Sequence, residues 1–375
     1  MIFMKILFYF GHPSQYLFLR NPINILKKKG IDCDLIIKSK DVLEKLLIEN
    51  KEAYINILPE GRNSGRIGIL TGLIKRDYRL FRFVKNRHYD IFIGTDPSLA
   101  HIGFLKRIPV ITVLEDDIHV VPELAWITFP FTSLILTPKE CQTGKFEKRT
   151  IHYNGYMKLA YLHPGRFSKK AAIFKQPYFL IRTSRLDAYH DAGISGFTFQ
   201  IIQRIIPLLL NKGSVYISSE GTLDESLKPF ELKINPTEVQ QVLANATMLI
   251  SDSQSMSMEA AMLGVPSIRF SDFAGRISVL DELENVYGLT FGIPTDSQNR
   301  LFDKINELLS FSSLEKEFAV RRQKMLSDKI DVTSFLVWFI ENYPASATTM
   351  KENPHYQDRF RLATRNEKRE MSDES

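Results

Sequence analysis

Residues 248–270, MLISDSQSMSMEAAMLGVPSIRF, constrain the fold of this chain more than any other stretch. They read as strand, loop, helix, turn and strand. Residues 248–250 are a short apolar run, the pattern of a buried parallel strand. Ser251, Asp252, Ser253, Gln254 and Ser255 are too polar to continue in a sheet. Ser255 is the expected N-cap of a helix of small and apolar residues, Gly264 its stop, and Pro266 the opening of the next strand. A hydroxyl-rich loop that feeds a helix N-terminus gathers amide groups and the positive end of the helix dipole. That combination suits an anion such as a nucleotide diphosphate. Glu259, one turn into the helix, is placed to reach a ribose hydroxyl. The plainer alternative is an ordinary capped helix with Glu259 in solvent.

The same alternation runs along the whole chain. Apolar strand segments are expected at 5–10, 32–38, 54–58, 90–95, 109–114, 134–138 and 150–154, with helices between most of them. A second series follows at 178–182, 215–218, 230–234, 248–250 and 289–293. Residues 61–72, rich in glycine and arginine, read as a loop or a loosely started helix. Strands and helices at this spacing imply parallel sheets covered on both faces. A chain of 375 residues is too long for one such core, since single cores stop growing at about 250–300 residues. The expected division is an N-terminal Rossmann-like domain over 1–165, a crossing at 163–176, and a second Rossmann-like domain over 176–330. A closing helix over 331–344 and a disordered polar tail over 345–375 complete it. Two such doubly wound halves bind ligands at the carboxyl ends of their strands.

Composition narrows the functional classes. No segment reaches the ~18 apolar residues of a membrane span. The apolar start lacks a basic leader region and reads as a first strand, so a cytoplasmic protein is expected. Two cysteines, Cys33 and Cys141, make neither a disulfide framework nor a zinc set. The net charge of +6 is concentrated at 75–88, where basic and aromatic residues alternate. On a helix, Leu80, Phe81 and Val84 would face inward and Arg79, Arg82 and Lys85 outward. That face is either simply solvated or attracted to the inner surface of an anionic membrane or to a lipid-linked acceptor. No nucleic-acid-binding module accompanies it, so nucleic acid is not an expected partner.

Several stretches carry a resemblance. Residues 149–163 (RTIHYNGYMKLAYLH), 180–184 (LIRTS) and 253–270 are similar to an uncharacterised, epimerase-like family of bacterial and archaeal proteins. That family is related to the non-hydrolysing UDP-N-acetylglucosamine 2-epimerases and shares the glycosyltransferase-B fold: two Rossmann-like doubly wound domains facing a cleft. The likeness spans roughly residues 4 to 310. It implies reactive carboxylates at Asp96, Glu115 and Glu123, and a ribose contact at Glu259. It also places a diphosphate near Ser253 and Ser255. The chain departs from the epimerase pattern at three points. Ile127 stands where an arginine follows the third carboxylate, residues 181–185 (IRTSR) replace a histidine-led loop, and Gly11, His12 and Pro13 replace an arginine loop. Arg182 and Arg185 could still clamp a diphosphate.

The chemistry expected from these residues is metal-independent. Glu115, Asp116 and Asp117, with His119, would suit a hard cation only if they converged, and consecutive residues at a strand end point in opposite directions. His12, held in an extended turn before a proline, is either a general base or a turn histidine bonded to backbone. The leading reading is an enzyme taking a UDP-sugar as substrate, with no separate cofactor. Arg182, Arg185, Ser253, Ser255 and Glu259 would hold the nucleotide, and Asp96, Glu115, His12 and Glu123 would do the chemistry. The departures tilt it towards sugar transfer in surface-polysaccharide assembly. The alternatives are a 2-epimerase-like enzyme and a catalytically silent scaffold of envelope-polymer assembly. Sequence leaves the oligomeric state open.

Overall fold

The computed structural model describes residues 4–38, 41–60, 65–183 and 196–361. The chain divides into two compact units, Met1–Tyr161 with Lys329–Ser375, and Leu162–Asp328. In the first unit, seven strands form one sheet: β1 (Lys5–Phe10), β2 (Asp32–Lys38), β3 (Ile55–Leu58), β4 (Ile91–Gly94), β5 (Val110–Val113), β6 (Leu134–Pro138) and β7 (Thr150–Tyr153). Their order is β3-β2-β1-β4-β5-β6-β7, all pairs parallel. Parallel strands covered on both faces must be apolar throughout, and Ile6 to Phe10 and the whole of β4 and β5 are buried.

The second unit holds β8 (Tyr178–Thr183), β9 (Ser214–Ser219), β10 (Met248–Ser251), β11 (Ser267–Phe270) and β12 (Thr290–Ile293) in the order β12-β11-β10-β8-β9. All are again parallel. The short strand expected at 230–234 is reduced to a single parallel bridge between Ile217 and Glu231, with Leu232 N–H donating to the Ile217 carbonyl at 2.8 Å. A 3-10 turn at Lys228–Phe230 leads into it. Counting that bridge as a vestigial edge strand, both sheets share one plan. Each reverses winding beside its first strand, between β1 and β4 in one unit and between β8 and β10 in the other. Open α/β sheets carry their ligands at the carboxyl ends of those strands.

Of the two readings of the glycine-rich 61–72 segment, the helix start holds for its described part, since the helix over Gly65–Val84 is continuous for 20 residues; residues 61–64 lie outside the described residues. The polar segment from 345 is ordered as far as 361. Helix Ala345–Glu352 and the 3-10 segment Pro354–Phe360 pack on the first unit, where Trp338 and Tyr356 stack at 4.6 Å. Gln357 is buried, and its Oε1 accepts the Asn154 N–H at 2.6 Å. Residues 362–375 lie outside the described residues. The helix Val332–Glu341 also returns to the first unit, where Thr333 Oγ1 donates to the Ala160 carbonyl at 2.6 Å. Cys33 and Cys141 are free thiols. Among the described residues, no helix is long and apolar enough to cross a membrane.

Candidate functional site

At the end of β10 the backbone turns sharply into the helix Gln254–Leu263. Ser251 Oγ accepts the Ser253 N–H at 2.8 Å, which fixes the turn. The cap is Ser253, not Ser255 as expected: its backbone is extended and its Oγ accepts the Met256 N–H at 3.4 Å. The helix therefore begins two residues earlier, and Ser255 sits in its first turn, half-buried. Glu259 lies one turn further on and is buried. Gly264 closes the helix in the left-handed conformation, where its φ of 75° favours a residue without a Cβ.

Beneath this turn lies a group that the sequence pattern did not single out. Arg269, on β11, is fully buried. Its guanidinium donates to Gln254 Oε1 at 3.2 Å, Thr290 Oγ1 at 3.2 Å and Glu284 Oε2 at 2.8 Å. Burial lowers its pKa, while the Glu284 carboxylate opposes that shift and helps keep the cation in place. Gly292 gives it room, since a Cβ there would stand 2.9 Å from Arg269 Nη2. A buried cation tied to the first helical residue adds to the positive potential of the helix N-terminus.

Arg182 is the last residue but one of β8, beside Ser251 in register. Its guanidinium leans onto β9, donating to Ser218 Oγ at 2.8 Å and Glu220 Oε1 at 2.6 Å. Arg185 lies outside the described residues.

The equivalent corner of the first unit is built from charge pairs. Asp96 caps the helix Pro97–Lys106, its Oδ1 accepting the Ser98 N–H at 3.0 Å. Its other oxygen meets Lys38 Nζ at 3.0 Å, and Arg76 Nε stands 3.4 Å from Oδ1. The Lys38 chain passes over Gly11 at the end of β1, where a Cβ would come within 2.7 Å of its Cε. Burial alone would raise the Asp96 pKa, but Lys38, Arg76 and the cap bond overcome it and hold the carboxyl below its ordinary value.

Glu115, just past β5, is also buried. Its Oε1 accepts the Met157 N–H at 2.5 Å, and Lys158 Nζ reaches Oε2 at 3.1 Å. Here burial wins and the pKa is raised, despite Lys158. Asp116 is raised as well, again by burial. Asp117 turns elsewhere and accepts the Gln142 N–H at 2.8 Å. Among the described residues, no three His, Cys, Asp or Glu side chains gather as a metal-binding group.

His12 is the exposed N-cap of the helix Pro13–Lys28. Its Nδ1 accepts the Ser14 N–H at 3.2 Å, and Ser14 Oγ lies 2.8 Å away. Glu123 is exposed in the first turn of the helix Pro122–Thr128. Lys38, Arg76, Lys158 and Arg269 are thus the charged residues that complete these sites and were missed in sequence.

No protein-family model and no curated protein sequence matches the chain. Solved structures do. The UDP-N-acetylglucosamine 2-epimerase from Neisseria meningitidis, bound to UDP-N-acetylglucosamine, aligns over 90% of this chain and 100% of its own at a TM-score of 0.66 and 14% identity. The calicheamicin glycosyltransferase aligns over 92% and 99% at a TM-score of 0.56 and 12% identity. The chain has the glycosyltransferase-B fold. The 2-epimerase from Methanocaldococcus jannaschii, in complex with UDP-N-acetylglucosamine and UDP, shares it at a TM-score of 0.58, covering 86% of this chain and 99% of its own at 17% identity. Epimerases and sugar transferases alike adopt the glycosyltransferase-B fold, so architecture by itself does not select between their reactions.

Proposed function

We propose that the chain is a UDP-sugar-dependent enzyme whose second unit holds the nucleotide diphosphate at the N-terminus of the helix Gln254–Leu263. The observation that carries this reading is the corner after β10. It combines a first helical turn bearing Ser253 and Ser255, a buried Arg269 tied to Gln254, and a buried Glu259 one turn on. Met256 N–H is taken by the Ser253 cap, and the other amide groups of the first turn have no partner within the helix, so a diphosphate satisfies them while gaining from the dipole. Glu259 then meets the ribose. Arg182 supports the phosphates from the end of β8, and Arg185, four residues from Ile181 in sequence, is a second cation for them.

Sugar transfer fits the carboxylates better than 2-epimerisation. Transfer needs one general base, whereas inversion at a sugar's second carbon needs groups that remove and return a proton. Glu115 also has both oxygens engaged, by Met157 N–H and Lys158, but its raised pKa makes it the readier of the two carboxyls to hold a proton. Asp96, with both oxygens engaged and its pKa lowered, suits it poorly and acts better as a fixed negative charge. The 2-epimerase reading is favoured by a different observation, the epimerases among the structural neighbours with bound UDP-N-acetylglucosamine. Surface-polysaccharide assembly is the setting in which such a transferase would act.

The test is incubation with a panel of UDP-sugars and lipid or saccharide acceptors in the presence of EDTA. Acceptor-dependent UDP release supports transfer, and sugar isomerisation without an acceptor supports epimerisation. Neither product from any UDP-sugar would refute the enzymatic reading and leave the scaffold alternative.

A further inference from the structure

The outer surface of the first unit carries an apolar platform that no part of the proposed reaction uses. Six large apolar side chains stand on it. Leu70, Ile74 and Tyr78 recur at every fourth residue of the helix Gly65–Val84, exposed to 59%, 60% and 59%. Phe104 and Leu105, each 64% exposed, end the helix Pro97–Lys106, and Phe131 follows in the 3-10 turn Phe129–Phe131. Trp126 and Ile127 extend the same edge.

These residues come from neighbouring elements that His101 pins together. His101 Nδ1 lies 2.9 Å from Asp77 Oδ2 on the first helix, and Nε2 lies 2.8 Å from the Ile127 carbonyl. Its ring meets Phe131 edge-on at 4.9 Å, and Phe131 meets Phe104 at 5.6 Å. The platform is therefore a rigid part of the fold. Scattered single apolar residues on a surface need no explanation, but a set of this size on adjoining helices marks an interaction face.

Its rim is basic. Arg82 and Lys85 continue the Leu70–Tyr78 stripe and are exposed; Lys106 and Arg107 flank Phe104 and Leu105, and Lys145 lies 3.6 Å from the Trp126 ring. Of the two acids on the three α-helices, Asp77 is tied to His101, while Glu123 is exposed. Lys75 and Arg79 are held by Glu60. A second copy of this chain would present the same cations across a two-fold interface, and like charges there repel. An anionic bilayer offers the opposite charge at headgroup depth and acyl chains for the apolar side chains.

We infer that the first unit docks on an anionic membrane surface through the helices Gly65–Val84, Pro97–Lys106 and Pro122–Thr128, with Phe104, Leu105 and Phe131 entering the headgroup boundary. This docking is independent of the nucleotide reading. It would hold the protein where membrane-anchored acceptors lie, without a spanning helix.

The test is flotation of the full chain with vesicles of phosphatidylcholine alone or with a third of phosphatidylglycerol, at about 50 mM and about 0.5 M salt. Binding is expected to require the anionic lipid and to weaken at high salt. The F104E/L105E variant should bind at least tenfold more weakly, and R82E/K85E several-fold more weakly at low salt. Because these side chains are exposed, both variants should melt with the wild type; F104S replaces the double variant if it does not. Absence of binding to anionic vesicles at low salt would overturn the inference, as would binding that neither variant changes. A wild-type dimer in sedimentation velocity that F104E/L105E makes monomeric would assign the platform to self-association and overturn it as well.

Discussion

The two sheets reverse winding in the same way, yet the corners they create hold opposite chemistry. At the end of β4, Asp96 meets Lys38 and Arg76, so the charges of that corner are largely compensated within the first unit. At the end of β10 there are serines, Asp252, a first helical turn and a buried Arg269 paired with Glu284, which is itself partly exposed. One corner ties its carboxylate to two cations, and the other presents a helix N-terminus, backed by a buried cation, that an anion can use. A shared topology thus fixes where a site can be, while the side chains at the strand ends decide whether it remains open to a ligand.

The largest effect expected from this contrast is on stability. Asp96→Asn leaves Arg76 buried without its counter-charge. Breaking such a pair costs roughly 3 kcal/mol, a fall in Tm of about 6–12 °C for a unit of this size. The comparison fails if Asp96→Asn melts with the wild type. Ser255→Asp should do the reverse. An acid in the first helical turn interacts well with the dipole, so Tm should hold or rise slightly, but the added charge repels a phosphate. UDP affinity should fall at least tenfold, or about 1.4 kcal/mol, by calorimetry.

The carboxylates of the first unit should also separate by pH. The lowered pKa of Asp96 means that its contribution is complete above its ordinary value of 3.8 and fades as pH falls through the lower folded value. The raised pKa of Glu115 works the other way. Its contribution is complete below 4.5 and is lost as pH rises through the higher folded value. The melting temperature of Glu115→Gln relative to the wild type should therefore improve as pH rises from about 5 to 8. A difference that is flat across that interval would mean that Glu115 is not perturbed by burial. The smallest effect concerns His12. His12→Ala should cost about 0.5 kcal/mol through loss of the cap, and His12→Asn should recover it. Turnover lost in the stable His12→Asn variant would instead make this histidine a catalytic group.

Much of this architecture was legible in the sequence because buried parallel strands must be apolar runs bounded by turn residues. Residues 5–10, 109–114 and 248–250 announce themselves in that way. The strand at 230–234 is cut to a single bridge: Phe230 ends the preceding 3-10 turn, and Leu232 and Ile234 pack against Tyr178 and its neighbours. The 345–361 segment looked like a tail by composition, yet a stacked Tyr356 and a buried Gln357 are enough to hold it. Three serines at alternate positions could each have capped the helix; Ser251 settles the choice by bonding Ser253 N–H. Local pattern could not supply the ionic partners. Lys38 lies 58 residues from Asp96, and Lys158 lies 43 from Glu115, so their meeting depends on strand order.

The most direct test of the open corner is calorimetric titration of UDP into the wild-type protein and Ser255→Asp. Saturable binding by the wild type, weakened at least tenfold by the added carboxylate at unchanged Tm, is the expected result. No heat from the wild type at millimolar UDP, or equal affinity in both proteins, would contradict the assignment of the diphosphate to the helix Gln254–Leu263.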